Sequence, residues 1–133
     1  MTLFLKKILT FFMAVLAFFG ILKPEITTTL ESGSVEILGI RTTVSLDANA
    51  TTGYAWSCAV DGDAVKLTED RYVTAPAKGM VGVGGTQIYV FEAVKPGLVT
   101  ITFTYGRAWE KGPIRTETLV LQVADDLTVT IPV

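Results

Sequence analysis

Histidine is absent from this chain of 133 residues, and cysteine occurs only once. A Ser-His-Asp or Cys-His nucleophile needs an imidazole as its base, and most catalytic zinc sites need one as a ligand. Both kinds of site are therefore excluded. Cys58 has no second cysteine with which to form a disulfide within the chain. We expect it to be a small buried residue on a strand, with a reactive thiol as the alternative.

A strong charge of either sign is also missing. The formal net charge is -2, and the lysines and arginines are scattered without forming a basic stripe that could neutralise phosphates. The carboxylates that could serve as acid or base are spread over strand ends and loops, where solvated surface is the usual explanation: Glu69, Asp70, Glu110 and Glu117. We therefore expect neither a nucleic-acid-binding protein nor an enzyme, and no cofactor or metal.

Long apolar runs are lacking after residue 22. Before it, Lys6 and Lys7 precede an apolar run from Ile8 to Leu22, which is short for a membrane span and typical of an export signal. Because no clean small-x-small cleavage site follows, residues 1–22 are either a removed signal peptide or an uncleaved anchor that leaves the domain outside the membrane. We expect an exported protein, secreted or periplasmic, whose folded domain comprises residues 23–133.

The rest of the chain alternates apolar and polar residues. In "GLVTITFTYG", one face carries Val99, Ile101, Phe103 and Tyr105, and the other carries Leu98 and three threonines, which is the pattern of a half-buried strand. The segments "TQIYVFEAV", "ETLVLQV", "RTTVSLD" and "YAWSCAV" alternate in the same way, and "SVEIL", "AVKLTED" and "LTVTIPV" are further candidate strands. Turn-forming residues separate them at Gly39, Asp61-Gly62, Pro96-Gly97, Gly112-Pro113 and Asp125-Asp126. Seven or eight short strands without a helix predict one all-β domain, an immunoglobulin-like antiparallel β-sandwich, which we expect to be monomeric.

Two segments combine a narrow or exposed position with large side chains. In "NATTGYAW", residues 49–56, two small hydroxyl residues and a glycine form a tip directly before two aromatic residues. In "YGRAWE", residues 105–110, a glycine ends the strand before Arg107 and Trp109, and these two residue types dominate binding energy at protein interfaces. The alternative for Trp109 is that it folds back over the edge of the sandwich.

A third segment, Val73 to Gly85, is longer than most connections in a compact domain, and such loops tend to be functional or disordered. Its end, "GVGG", gives Gly82, Gly84 and Gly85 room for positive φ and lets another backbone come close. A phosphate-binding loop would need a helix N-terminus or a following Lys-Ser or Lys-Thr, which the sequence lacks. A flexible hairpin end without a function is the remaining alternative.

Loops of an immunoglobulin-like sandwich can gather at one end. A compact tip of Thr51, Thr52 and Gly53 between a glycine-rich loop and an Arg-Ala-Trp loop would form a three-part wedge. A wedge with a narrow centre fits a cleft.

At this point the sequence resembles a known family. "NATTGYAW", "GVGG" and "GRAW" are similar, in order and spacing, to the three signature loops of the chagasin-type inhibitors of papain-like cysteine peptidases. The family motifs are Asn-Pro-Thr-Thr-Gly followed by Tyr or Phe, then Gly-x-Gly-Gly, then Arg-Pro followed by Trp or Phe. The resemblance covers roughly Glu31 to Val123, and the fold that it implies is an immunoglobulin-like sandwich with these loops at one end.

The resemblance implies reversible inhibition of a papain-like cysteine peptidase by occlusion of its active-site cleft. The central loop would enter the cleft over the catalytic cysteine, and the other two loops would hold its flanks. Carried to matching positions, the peptidase-binding residues would be Asn49, Thr51, Thr52, Gly53, Tyr54, Gly82, Val83, Gly84, Gly85, Arg107, Ala108 and Trp109.

The chain departs from the family pattern at two proline positions, which Ala50 and Ala108 occupy. Each loop should therefore keep more freedom before binding, so we expect a looser inhibitor than a relative with both prolines. Ala50 also makes Asn49-Ala50-Thr51 a glycosylation acceptor, and a glycan there would obstruct docking.

Two other functions are compatible with the sequence. An extracellular carbohydrate-binding or adhesive β-sandwich module would use an exposed aromatic residue, and Trp109 could serve. A purely structural extracellular domain would use none of the three segments.

Overall fold

The computed structural model describes residues 25–49, 52–74 and 84–132, which form two antiparallel sheets. The strands are β1 (Glu25–Leu30), β2 (Gly33–Leu38), β3 (Arg41–Ala48), β4 (Ala55–Asp61), β5 (Val65–Thr74), β6 (Gly85–Ala93), β7 (Gly97–Gly106), β8 (Arg115–Val123) and β9 (Val129–Thr130). One sheet has the order β1-β2-β3-β6-β5 and the other the order β4-β7-β8-β9. The predicted all-β, immunoglobulin-like sandwich is confirmed.

The described residues form nine strands, one more than the highest number predicted from sequence. The strand that was missed is β1, "EITTTL", whose Ile26 and Leu30 are only half-buried and whose threonine run masks the alternation. The breaks predicted at glycine, proline and aspartate positions all fall at strand ends or between strands. The predicted targeting segment, residues 1–22, lies outside the described residues.

The core lies between the two sheets and follows the predicted alternation. Val99, Ile101 and Phe103 of β7 are fully buried, and Phe103 packs against Tyr89 and Phe91 of the opposite sheet, with ring centroids 5.5 and 6.3 Å away. Burying one side chain of this size stabilises a protein by about 1.5–3 kcal/mol. The alternating apolar residues therefore hold the two sheets together.

One carboxylate that was predicted to lie on the solvated surface is buried instead. Glu117 lies on the inner face of β8, two residues before Leu119, and its Oε2 accepts a hydrogen bond from the backbone N–H of Ser32 at 2.6 Å. Nη1 of Arg115 donates to Oγ of Ser32 at 3.2 Å. The turn between β1 and β2 is thus tied to β8 of the other sheet. The surface prediction was wrong because it ignored the alternation that places Glu117 on the same face as Leu119.

The strand pairing places three connections at one end of the sandwich. β3 ends at Ala48, opposite Gly85 at the start of β6, and β5 ends beside that same glycine. In the other sheet, β4 starts at Ala55, opposite Gly106 at the end of β7, beside which β8 begins. The connection from β3 to β4 joins these two edges. We name the connections the first loop (residues 49–54), the second loop (residues 75–84) and the third loop (residues 107–114).

In residues 25–49, 52–74 and 84–132 we find no helix with the length and hydropathy needed to cross a bilayer.

Candidate functional site

The tip of the first loop is small and folded on itself. The backbone N–H of Thr52 donates to the carbonyl of Asn49 at 3.2 Å, and Oγ1 of Thr52 donates to the same carbonyl at 2.7 Å. Thr52 and Gly53 are both exposed, and Gly53 has a φ of +83°, a conformation that favours glycine. Ala50 and Thr51, which were assigned to this tip, lie outside the described residues. The described part of the tip presents small groups to the solvent.

Aromatic rings anchor the first loop to the core. Tyr54 stacks on Tyr105 at a centroid distance of 5.4 Å, and Tyr105 packs on Trp56 at 4.8 Å. The hydroxyl of Tyr105 accepts a hydrogen bond from the N–H of Asn49 at 3.0 Å, and Nε1–H of Trp56 donates to the carbonyl of Asp47 at 2.8 Å. Both legs of the loop are therefore fixed to buried rings. The large aromatic residues behind the tip supply the rigidity that its small residues lack.

The third loop begins with a tight turn that exposes a tryptophan. The N–H of Glu110 donates to the carbonyl of Arg107 at 3.2 Å, which places Ala108 and Trp109 at the two central positions of the turn. Oε1 of Glu110 also accepts a hydrogen bond from Nη1 of Arg107 at 2.7 Å. Trp109 is 71% exposed. A tryptophan this exposed on a short turn can bury a large, rigid surface against a partner.

The first and third loops touch each other directly. The indole of Trp109 lies so close to Gly53 that a Cβ at this glycine would overlap the ring. Cζ of Arg107 lies 4.0 Å from the centroid of the Tyr54 ring. Trp109 therefore does not fold back over the sandwich edge, the alternative that the sequence left open, but stands beside the tip of the first loop.

The second loop is described only at its C-terminal end. Gly82 and Val83 lie outside the described residues, whereas Gly84 and Gly85 lie against the other strands at this end. A Cβ at Gly84 would be 2.6 Å from the carbonyl oxygen of Ala48, directly before the first loop. Gly85 is not among the described glycines with positive φ, so it does not use the conformational freedom that the sequence allows it. The predicted close approach of another backbone is confirmed for Gly84.

Cys58, the one candidate nucleophile of the sequence, is a half-buried residue of β4 packed against the core. Its burial and the nearby carboxylate of Asp70 both raise the pKa of its thiol. A raised pKa keeps the thiol protonated and unreactive, so the interpretation as a packing residue is favoured over a reactive thiol. Among the residues that the structure describes, no group of three or more potential metal-binding side chains comes together.

Comparison with known proteins identifies the family of this chain. A model of the chagasin family of peptidase inhibitors matches residues 37–123, a range that includes all three loops. The chain belongs to the chagasin family. Membership in this family makes it a non-enzymatic inhibitor protein. No curated protein sequence matches the chain.

Two solved structures are similar to this chagasin-family chain. The crystal structure of the cysteine protease inhibitor EhICP2 from Entamoeba histolytica is 32% identical, with a TM-score of 0.56, and the match covers 62% of this chain and 77% of that one. The solution structure of amebosin is 30% identical, with a TM-score of 0.49, and the match covers 62% of this chain and 78% of the other. The first of these agrees with the sandwich described above.

Sequence reasoning selected Tyr54, Arg107 and Trp109 individually but missed what joins the first and third loops to each other and to the core. Tyr105 was assigned to the inner face of its strand, and its hydroxyl contact with the backbone of Asn49 was not foreseen. Glu110, which was set aside as surface, pairs with Arg107. The spacing of Arg107 and Glu110, three residues apart across a turn, was the one sequence signal for this pair.

Proposed function

We propose that this protein is a reversible inhibitor of papain-like cysteine peptidases that inserts its first loop into the active-site cleft. The second and third loops would contact the two flanks of the cleft. Family membership supports inhibition of a peptidase, and a structural relative that is itself a cysteine protease inhibitor supports the class of the partner. The strand ends that flank all three loops lie at one end of the sandwich, which supports a single binding surface.

The observation that carries the proposal is the contact between Gly53 and Trp109. This contact places a tip of small groups beside a broad aromatic side chain. The small tip can enter a narrow groove while the tryptophan covers the rim of the groove. A tryptophan buries about 150–250 Å² when a partner covers it. Because the two loops already touch in the free protein, less conformational entropy is lost on binding.

Inhibition in this proposal needs no covalent step. Small side chains admit the tip to the groove, and both Thr52 and Gly53 are exposed to a partner there. The hydroxyl of Thr52 is already bonded to the carbonyl of Asn49, so it contributes to the shape of the loop. A complex built this way is reversible and leaves both proteins unmodified.

The proposal includes export, with residues 1–22 as a signal peptide or membrane anchor and residues 23–133 as the inhibitor domain. We infer that Asn49 carries no glycan in the active protein, since a glycan beside the tip would obstruct docking. Export by a system without such glycosylation, as in bacteria, satisfies this condition. Intact-mass measurement of the native active inhibitor tests it, and a glycan on Asn49 would contradict it.

Inhibition of papain by the purified protein tests the proposal, with Trp109→Ala as the diagnostic variant. We expect wild type to inhibit papain and Trp109→Ala to raise the inhibition constant by roughly 30-fold, the loss typical of a binding hot spot. Leu98→Ala is the matched control, since Leu98 is also a large exposed apolar residue but lies near the opposite end of β7. If papain stays active while a glycan array shows binding that depends on Trp109, the carbohydrate-binding alternative replaces the proposal.

A further inference from the structure

Arg107 is the first residue of the third loop, and its side chain reaches the first loop. Its Cζ is 4.0 Å from the ring centroid of Tyr54 and 5.7 Å from that of Trp109. Nη1 donates to Oε1 of Glu110 at 2.7 Å, which holds the guanidinium from the side. The Arg107 side chain is only 30% exposed, although it belongs to a surface loop. Most of its surface is therefore covered by the inhibitor itself.

These contacts continue into the core as one series of stacked groups, which we name the loop stack: Trp109, Arg107, Tyr54, Tyr105 and Trp56. Trp56 is buried and marks the inner end, whereas Trp109 is largely exposed and marks the outer end. Arg107 is the member that connects the third loop to the rings below the first loop. Without it, the part of the loop stack that links Trp109 to Tyr54 would be lost.

The chemistry of arginine suits this position. A guanidinium is planar and weakly hydrated, so it can lie flat on an aromatic face while one edge donates a hydrogen bond, whereas a lysine ammonium is a compact, strongly hydrated point charge. Nε of Arg107 is buried and finds no acceptor among the described residues. The guanidinium therefore contacts aromatic rings through its faces and Glu110 through one edge. Its Nε is buried and is not accessible to a partner protein.

We propose that Arg107 is a positioning residue that holds the first and third loops as one rigid unit before any peptidase binds. The inference rests on the proposed function, because loop rigidity affects inhibition only if these loops bind the peptidase. It differs from the role implied by the family resemblance, in which Arg107 itself holds a flank of the cleft. In the free protein the guanidinium already lies on the ring of Tyr54 and donates to Glu110.

Hydrogen exchange of the free, full-length protein separates the two roles. The Thr52 amide is bonded to the carbonyl of Asn49, so its exchange rate reports the order of the first loop. We expect Arg107→Lys, which keeps the charge but not the planar stack, to accelerate exchange at Thr52 by roughly tenfold. Tyr54→Leu, which removes the other side of the same contact, should give a similar acceleration. Combining the two changes should add little further.

The matched control for this experiment is Arg41→Lys. Arg41 is exposed at the start of β3, at the opposite end of the sandwich from the three loops, so its replacement should leave exchange at Thr52 unchanged. The residue is the same and so is the substitution. Only the location differs.

Papain inhibition by the same variants completes the test. We expect Arg107→Lys to raise the inhibition constant by roughly tenfold, in parallel with the faster exchange. Weaker inhibition with unchanged exchange would mean that Arg107 binds the peptidase directly, which would overturn the proposal, as would no change in either measurement. If exchange accelerates but wild type fails to inhibit papain, the positioning role stands and the proposed function fails.

Discussion

Two separate constraints meet at Gly53. Its φ of +83° is a conformation that other residues adopt only with strain, and the Trp109 indole occupies the space that a Cβ would need. The first constraint concerns the fold of the loop, and the second concerns the contact between the first and third loops. Gly112 has the first constraint without the second: its φ is +78°, and apart from its chain neighbours no described residue lies within 4 Å of the position that its Cβ would occupy.

Gly53→Ala should therefore weaken papain inhibition more than Gly112→Ala does. Each substitution forces alanine into a left-handed conformation at a cost of about 1–2 kcal/mol, but only Gly53→Ala displaces Trp109 as well. We expect similar losses in the free energy of unfolding, and an inhibition constant at least roughly tenfold higher for Gly53→Ala than for Gly112→Ala. Equal inhibition constants would show that the contact with Trp109 is unimportant for binding.

The reactivity of the Cys58 thiol should depend on pH. Burial and the Asp70 carboxylate raise the pKa of its thiol, so the folded protein binds the proton more tightly than the unfolded chain. This contribution to stability is complete below the unfolded pKa of about 8.5 and is lost as pH rises through the higher folded pKa.

Folded protein should consequently react with a disulfide reagent more slowly than urea-unfolded protein between about pH 7 and 9. Asp70→Asn removes the repelling charge and should accelerate the reaction of the folded form. The rate at which the reagent's own thiolate is released, measured across this pH range for folded and unfolded protein, tests both expectations. A folded protein that reacts as fast as the unfolded chain would contradict the raised pKa.

Among the elements, the third loop has a tight turn in which Ala108 occupies a position where the family motif has proline. Ala108 follows Arg107 in the turn closed by Glu110, and proline is favoured at that position of type I and type II turns. Leu127 is the one non-glycine residue with positive φ in the described part of the chain, so the φ of Ala108 is negative, as proline requires.

Ala108→Pro should accordingly tighten papain inhibition. A compatible proline removes about 0.4–1 kcal/mol of conformational freedom, which corresponds to an inhibition constant about two- to fivefold lower. The same gain is predicted for Ala50→Pro, at the other position where the family has proline. If neither variant inhibits more tightly than wild type, loop freedom does not limit binding.

The β1–β2 hairpin is an element that a buried hydrogen bond from Ser32 to Glu117 ties to the other sheet. Glu117→Ala would leave the buried N–H of Ser32 without its acceptor, which should lower the free energy of unfolding by about 1–3 kcal/mol. Glu36→Ala makes the same substitution at an exposed position of β2 and should have little effect. Urea unfolding measures both, and equal stability of the two variants would contradict a role for the Glu117 bond.

At the scale of the whole molecule, the sandwich could be predicted because most of its strands carry an alternating pattern of apolar and polar residues. The buried face of β7 can be identified from its own residues Val99, Ile101 and Phe103, without knowledge of any other strand. The contacts of Trp109 with Gly53 and of Arg107 with Tyr54 could not be predicted, because they join residues far apart in sequence and depend on which loops share an end. Motif order indicated a common site, but only the pairing of the strands brings the first and third loops into contact.

The most direct test of the central claim is the dependence of papain inhibition on substrate concentration. A wedge that occupies the active-site cleft must compete with substrate, so we predict reversible inhibition whose apparent inhibition constant rises linearly as substrate is added. Substitutions at Gly53 and Trp109 should weaken it, and Leu98→Ala should not. Inhibition that substrate does not relieve, or papain that remains fully active in excess protein, would contradict the claim.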